Sequence, residues 1–114
     1  MKKVLLLAAA AVFALPLVVR AETWTNVSLL DTMCAGKEKV KANPDAHPTA
    51  CAIQCEKSGY GIVDSAGKYL KFDKAGNEQV VTALKSTKKT DHLRVTVDGD
   101  LKGDTIAVKS VTLD

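Results

Sequence analysis

The sequence predicts a mainly β domain with two short helices: a small five-stranded, OB-like barrel with a Cys-bearing helix inserted between strands one and two. Five segments carry strand patterning, an amphipathic helical pattern falls between the third and fourth, and a second short helix follows Pro48. An open antiparallel sheet with two helices packed on one side is the competing arrangement, because both bury one face of each strand. A chain of 114 residues holds one small domain and excludes a large multidomain enzyme.

The first 21 residues follow the secretory pattern. Lys2 and Lys3 form a positive start, Val4 to Val19 is an apolar run broken only by Pro16, and Val19-Arg20-Ala21 suits cleavage after Ala21. The run is shorter than the roughly 20 residues that span a bilayer, so no retained membrane anchor is expected. The expected organisation is a signal peptide over residues 1–21 and one domain over residues 22–114, exported to the periplasm or outside the cell. Removing Lys2, Lys3 and Arg20 from the 16 basic residues leaves 13, matching the 13 acidic ones. A neutral domain lacks the electrostatic term that drives generic nucleic-acid binding, so a nucleic-acid partner is not expected.

Thr23 to Leu29 is Thr-rich, with Trp24, Val27 and Leu29 in imperfect alternation, and reads as strand one. Ala35 to Ala46, with Lys37, Lys39, Lys41 and Asn43-Pro44-Asp45, reads as a solvated loop or ragged helix. Pro48 to Lys57 reads as the Cys-bearing helix, stopped by Ser58-Gly59. Tyr60 to Asp64 and Lys68 to Phe72 flank Ser65-Ala66-Gly67 as a hairpin, with Leu70 and Phe72 on one face and Tyr69 and Lys71 on the other. Asn77 is placed to cap a helix to about Lys85 that buries Val80, Val81 and Leu84. Leu93, Val95 and Val97 alternate with polar residues, and Asp98-Gly99 suggests a turn. The last strand, Thr105 to Leu113, changes phase between Ile106/Val108 and Val111/Leu113, which requires a bulge near Lys109-Ser110.

Chemistry concentrates at Cys34, His47, Cys51 and Cys55. On a helix beginning at Pro48, Cys51 and Cys55 share a face with His47 at the cap, and Cys34 can return to join them. Thiolate and imidazole suit a tetrahedral zinc site or a copper(I) site. The plain alternative is a disulfide among Cys34, Cys51 and Cys55, since export meets an oxidising environment. A bridge from Cys34 to Cys51 or Cys55 would close a loop of roughly 17 to 21 residues and contribute on the order of 3 kcal/mol. A third reading is a reactive thiol, with Cys51 in the first turn of its helix and His47 as proton partner.

The runs Trp24-Thr25, Leu30-Asp31-Thr32-Met33-Cys34, His47-Pro48-Thr49-Ala50-Cys51-Ala52-Ile53-Gln54-Cys55, Ser58-Gly59-Tyr60-Gly61, Val97-Asp98-Gly99-Asp100-Leu101 and Asp104-Thr105-Ile106 cover nearly all of the domain. In these runs the chain resembles a group of small exported bacterial proteins of uncharacterised function. The resemblance implies an export signal, an OB-like β tail and a site at Asp31, Cys34, His47, Cys51 and Cys55, and it brings no established activity.

Trp24, Asp31, Tyr60 and Tyr69 are the candidates for contacting a small ligand, the aromatics as a stacking surface. Phe72 shares a face with Leu70 and is assigned to the core, and His92 to a solvated strand end. Asp98, Asp100 and Asp104 lack the remaining ligands of a calcium loop and are explained by turn chemistry. No phosphate loop, Ser/His/Asp set or paired-carboxylate signature occurs. The sequence therefore favours a small binding module for a metal or small ligand. A disulfide-stapled interaction domain and a thiol redox protein are the alternatives, and the ligand or protein partner is open.

Overall fold

Strand β1, Arg20–Asp31, is the longest strand among the described residues and the wall against which the barrel closes. The structure, a computed structural model, describes residues 19–114. β1 is followed by α1 (Thr32–Ala35), α2 (Glu38–Ala42), a 3-10 turn at Pro44–Ala46, α3 (Thr49–Gln54) and a 3-10 turn at Glu56–Ser58. β2 (Tyr60–Val63), β3 (Tyr69–Phe72), α4 (Lys74–Ser86), β4 (Arg94–Lys102) and β5 (Thr105–Leu113) complete the chain. The strands form a closed barrel in the order β1-β2-β3-β5-β4, with β1 also pairing β4 and a short parallel contact between β3 and β5. This is the OB-like barrel, and the open sheet is excluded by that closure. Four α-helices are present among the described residues where two were expected.

Two bulges let the strands bend. Trp24 pairs with Val97 but Val27 pairs with Val95, so Thr25 and Asn26 together face one residue, and Asn26 takes a positive φ of 51° that Asn tolerates. The imperfect alternation of strand one is this bulge: Trp24 and Leu29 both face the core. In β5, Asp98 pairs with Ser110 and Gly99 with Val108, which leaves Lys109 as the extra residue where the phase change required one.

Asp98-Gly99 is not a turn, because β4 runs through it to Lys102 and reverses at Gly103, whose φ is +60°. Gly99 instead supplies close approach: a Cβ there would lie 2.6 Å from the Ala107 carbonyl oxygen. The helix before β4 starts earlier than Asn77 suggested. Asp73 caps it by accepting from the Gly76 N–H at 3.1 Å, while the Asn77 side chain accepts from the Tyr60 N–H at 2.8 Å and ties α4 to β2. Val80 and Leu84 of α4 join Leu29, Ile62, Leu70, Phe72, Val95, Val97 and Ile106 in the barrel core.

The segment from α1 to the second 3-10 turn is an insert whose ends meet. Asp31 pairs with Tyr60 across β1 and β2, and the Thr32 N–H donates to the Gly59 carbonyl at 2.8 Å. Pro48 stands just before α3 as its N-cap rather than inside it, and the helix ends at Gln54, short of the expected Lys57. Thr49 fastens this helix to the segment before β4, its N–H donating to the Thr90 carbonyl and its hydroxyl to that of Lys89, each at 2.8 Å. The expected leader lies outside the described residues up to residue 18. The cleavage position after Ala21 falls within β1, where Arg20 and Ala21 pair with Leu101 and Asp100. Among the described residues no helix is long and apolar enough to cross a membrane.

Candidate metal centre

Asp31 ends β1 and begins α1, and it does two jobs with one carboxylate. Oδ2 accepts from the Cys34 N–H at 2.9 Å, capping α1, and Oδ1 accepts from His47 Nε2–H at 2.8 Å. The carboxylate is wholly inaccessible, and Cys34 and His47 are buried with it. One donor atom from each of Asp31, Cys34 and His47 lies within 4.8 Å of the other two. Burial pushes the Cys34 thiol up to about 11, helped by the neighbouring Asp31 carboxylate and by Cys55, with Lys37 opposing. The Cys34 thiol therefore keeps its proton at neutral pH.

His47 reaches Asp31 because the turn before it is anchored to the barrel. Asp45 takes Arg94 of β4 in a two-pronged ion pair, Nε at 3.1 Å and Nη2 at 2.8 Å, and also accepts from the Ser28 hydroxyl at 3.3 Å. The Asp45 carbonyl accepts from the His92 N–H at 2.8 Å. The hydrogen bond from Arg94 holds the Asp45 carboxyl below the usual carboxylate range, against a smaller opposing effect of burial. Arg94 and Asp45 carry no signal as a pair in the sequence, since a strand-end arginine and a turn aspartate 49 residues apart have no local pattern. The cap could have been read from the Asp31-x-x-Cys34 spacing, because Asp is a preferred N-cap for the residue three positions on.

The sequence-predicted residues separate into three groups. Cys34 and His47 join Asp31, which brings Asp31, expected as a small-ligand contact, into a set that could hold a metal ion. Cys51 and Cys55, half-buried on α3 and at its C-cap, fall outside that cluster, although Cys55 acts electrostatically on Cys34. Cys51 lies within α3, but Cys55 is its C-cap with φ −97° and ψ 21°, so the two do not share the regular helical face that a helix to Lys57 would give them. All three cysteines are free, and no disulfide is formed.

The aromatic candidates lie elsewhere. Tyr60 is core, its hydroxyl donating to the Ala52 carbonyl at 2.8 Å, and Tyr69 donates to the Leu30 carbonyl at 3.0 Å beside the Thr32 hydroxyl. Burial raises both phenols, Tyr60 to about 12. Their polar tips serve the fold: Tyr60 ties α3 to β2, and Tyr69 ties β3 to the end of β1 and the start of α1. Trp24 lines a separate surface cavity of about 450 Å³ with Glu22, Asp64, Lys68, Leu70 and Leu101. His92 is exposed as expected, its Nδ1 2.7 Å from Asp91.

No family model matches the chain, and no curated protein or solved structure matches it.

Proposed function

We propose that this chain is a small exported binding module that holds a divalent, zinc-type ion through Asp31, Cys34 and His47. The observation that carries the reading is the mutual proximity of a carboxylate oxygen, a thiol sulfur and an imidazole nitrogen, all buried, within 4.8 Å. A tetrahedral shell with bonds of about 2.0 to 2.3 Å has edges of roughly 3.3 to 3.7 Å, so the three donors would close on an ion with shifts of about an ångström. A mixed oxygen, sulfur and nitrogen set suits a borderline divalent ion better than copper(I), which favours sulfur and nitrogen alone. The ion would take the place of the hydrogen shared by His47 and Asp31 and would displace the Cys34 thiol proton.

Native mass spectrometry after zinc equilibration tests this. One zinc per chain, lost in Cys34→Ser and in His47→Ala, is expected; a chain that takes up no zinc, or takes it up equally well without Cys34, overturns the reading.

A second reading rests on a specific observation: every buried side-chain polar atom among the described residues already has a hydrogen-bond partner. Asp31, Cys34 and His47 then form a polar staple for an interaction domain, replacing the disulfide that the sequence suggested. The readings differ in thermal stability, because an ion that binds only the folded chain raises the Tm and a staple gains nothing from zinc.

A further inference from the structure

A cleft of about 240 Å³ lies against the proposed centre, walled by Lys39, Val40, Asn43, Ala46, His47 and Pro48. His47 belongs to both places, since its Nε2 reaches Asp31 and the residue forms part of the cleft wall. Three protein donors leave one position of a tetrahedral ion unfilled, and an unfilled position is what distinguishes an exchange-competent zinc site from a closed structural one. Cys51 and Cys55, which would close it, stand outside the cluster. We propose that the centre is three-coordinate from protein and that its fourth position takes a small carboxylate ligand whose apolar body lies in this cleft.

The wall chemistry supports that class of ligand. Val40, Ala46 and Pro48 supply an apolar surface, Asn43 a neutral amide, and Lys39 the only permanent charge in the wall, which is positive. Lys37 and Lys41 add exposed cations on either side of it along the same segment, which stays net positive against the single exposed anion Glu38. The volume falls below the range for drug-sized ligands, so the ligand is a short-chain acid rather than a cofactor.

This inference rests on the metal reading, and cobalt spectroscopy separates the two. The full domain loaded with Co(II) should show four-coordinate visible bands with a thiolate charge-transfer band. Millimolar butyrate should shift the visible bands, while uncharged butanamide should not. Lys39→Ala should weaken the butyrate effect about twofold to fivefold, the weight of one exposed charge. Ala46→Leu, which fills the cleft from an exposed position, should abolish it while preserving the butyrate-free spectrum. The Cys51→Ser/Cys55→Ser double variant should keep both the spectrum and the shift. Failure to bind cobalt overturns the metal reading and this inference together. A cobalt spectrum that ignores butyrate overturns only the inference, whereas a sulfur band lost in the double variant contradicts the Asp31, Cys34 and His47 centre as well.

Discussion

Replacing Asp31 by Ala removes the two hydrogen bonds that define the centre, and the cost can be worked from each. Loss of the cap on the Cys34 N–H costs about 1 kcal/mol, as N-cap deletions do. The His47 Nε2–H is left buried without an acceptor, which costs about 1 to 3 kcal/mol. The backbone pairing of residue 31 with Tyr60 persists, so no strand contact is lost. The expected total is about 2 to 4 kcal/mol, a large share of the stability of a small domain. Urea unfolding in chelator reads it, with the single Trp24 in the barrel core as the fluorescent probe. The midpoint should fall with an unchanged slope, since the surface exposed on unfolding is the same. Asp31→Asn keeps an oxygen for the cap and, with the other His47 tautomer, a hydrogen bond to the ring, so it should cost roughly 1 kcal/mol or less. An Asp31→Ala midpoint within about 0.5 kcal/mol of wild type would refute the premise that this carboxylate holds the insert to β1.

Four further outcomes follow from contacts at the site and in the barrel. Arg94→Ala should destabilise the domain by about 1 to 2 kcal/mol and weaken zinc binding, because the turn carrying His47 loses its anchor; unchanged zinc affinity would show that Asp45 does not position His47. The Asp45 carboxyl is depressed from its ordinary 3.8, so the pair contributes fully above that pH and is lost as pH falls through the depressed value. The stability gap between wild type and Arg94→Ala should therefore narrow on acidification, and a gap that widens contradicts the assignment. Gly61→Ala would set a Cβ 2.2 Å from the Leu70 carbonyl oxygen, which neither strand can yield cheaply, so a loss of at least about 2 kcal/mol is expected in urea and a neutral effect would disprove the close approach. In metal-free protein Cys34 should be the last cysteine alkylated at pH 8, where about one thiol in a thousand is ionised, given its value of about 11; a rate equal to that in urea would contradict its burial.

Local signals carried most of the barrel. The phase change after Val108 announced the Lys109 bulge, and the alternation of Leu93, Val95 and Val97 announced β4, because inward-facing positions repeat every second residue. What stayed hidden was set by distant partners. Asn77 reads as a helix cap until Tyr60 is seen to need its oxygen, and Asp98-Gly99 reads as a turn until β1 and β5 pair on either side of it. At the site, residue types identified Cys34 and His47, yet the grouping with Asp31 rather than Cys51 and Cys55 depended on Asp31 capping α1 and on Arg94 gripping the turn before His47. The lysine-rich stretch that reads as a solvated loop or ragged helix forms the short α2, whose Val40 is half-buried against the cleft by His47.

X-ray absorption spectroscopy of the zinc-loaded domain counts the donors and so tests the central claim most directly. The account predicts one sulfur at about 2.3 Å and nitrogen or oxygen donors at about 2.0 to 2.1 Å. Two or three sulfurs would hand the ion to Cys51 and Cys55, and a shell with no sulfur would remove Cys34; either result contradicts the Asp31, Cys34 and His47 centre.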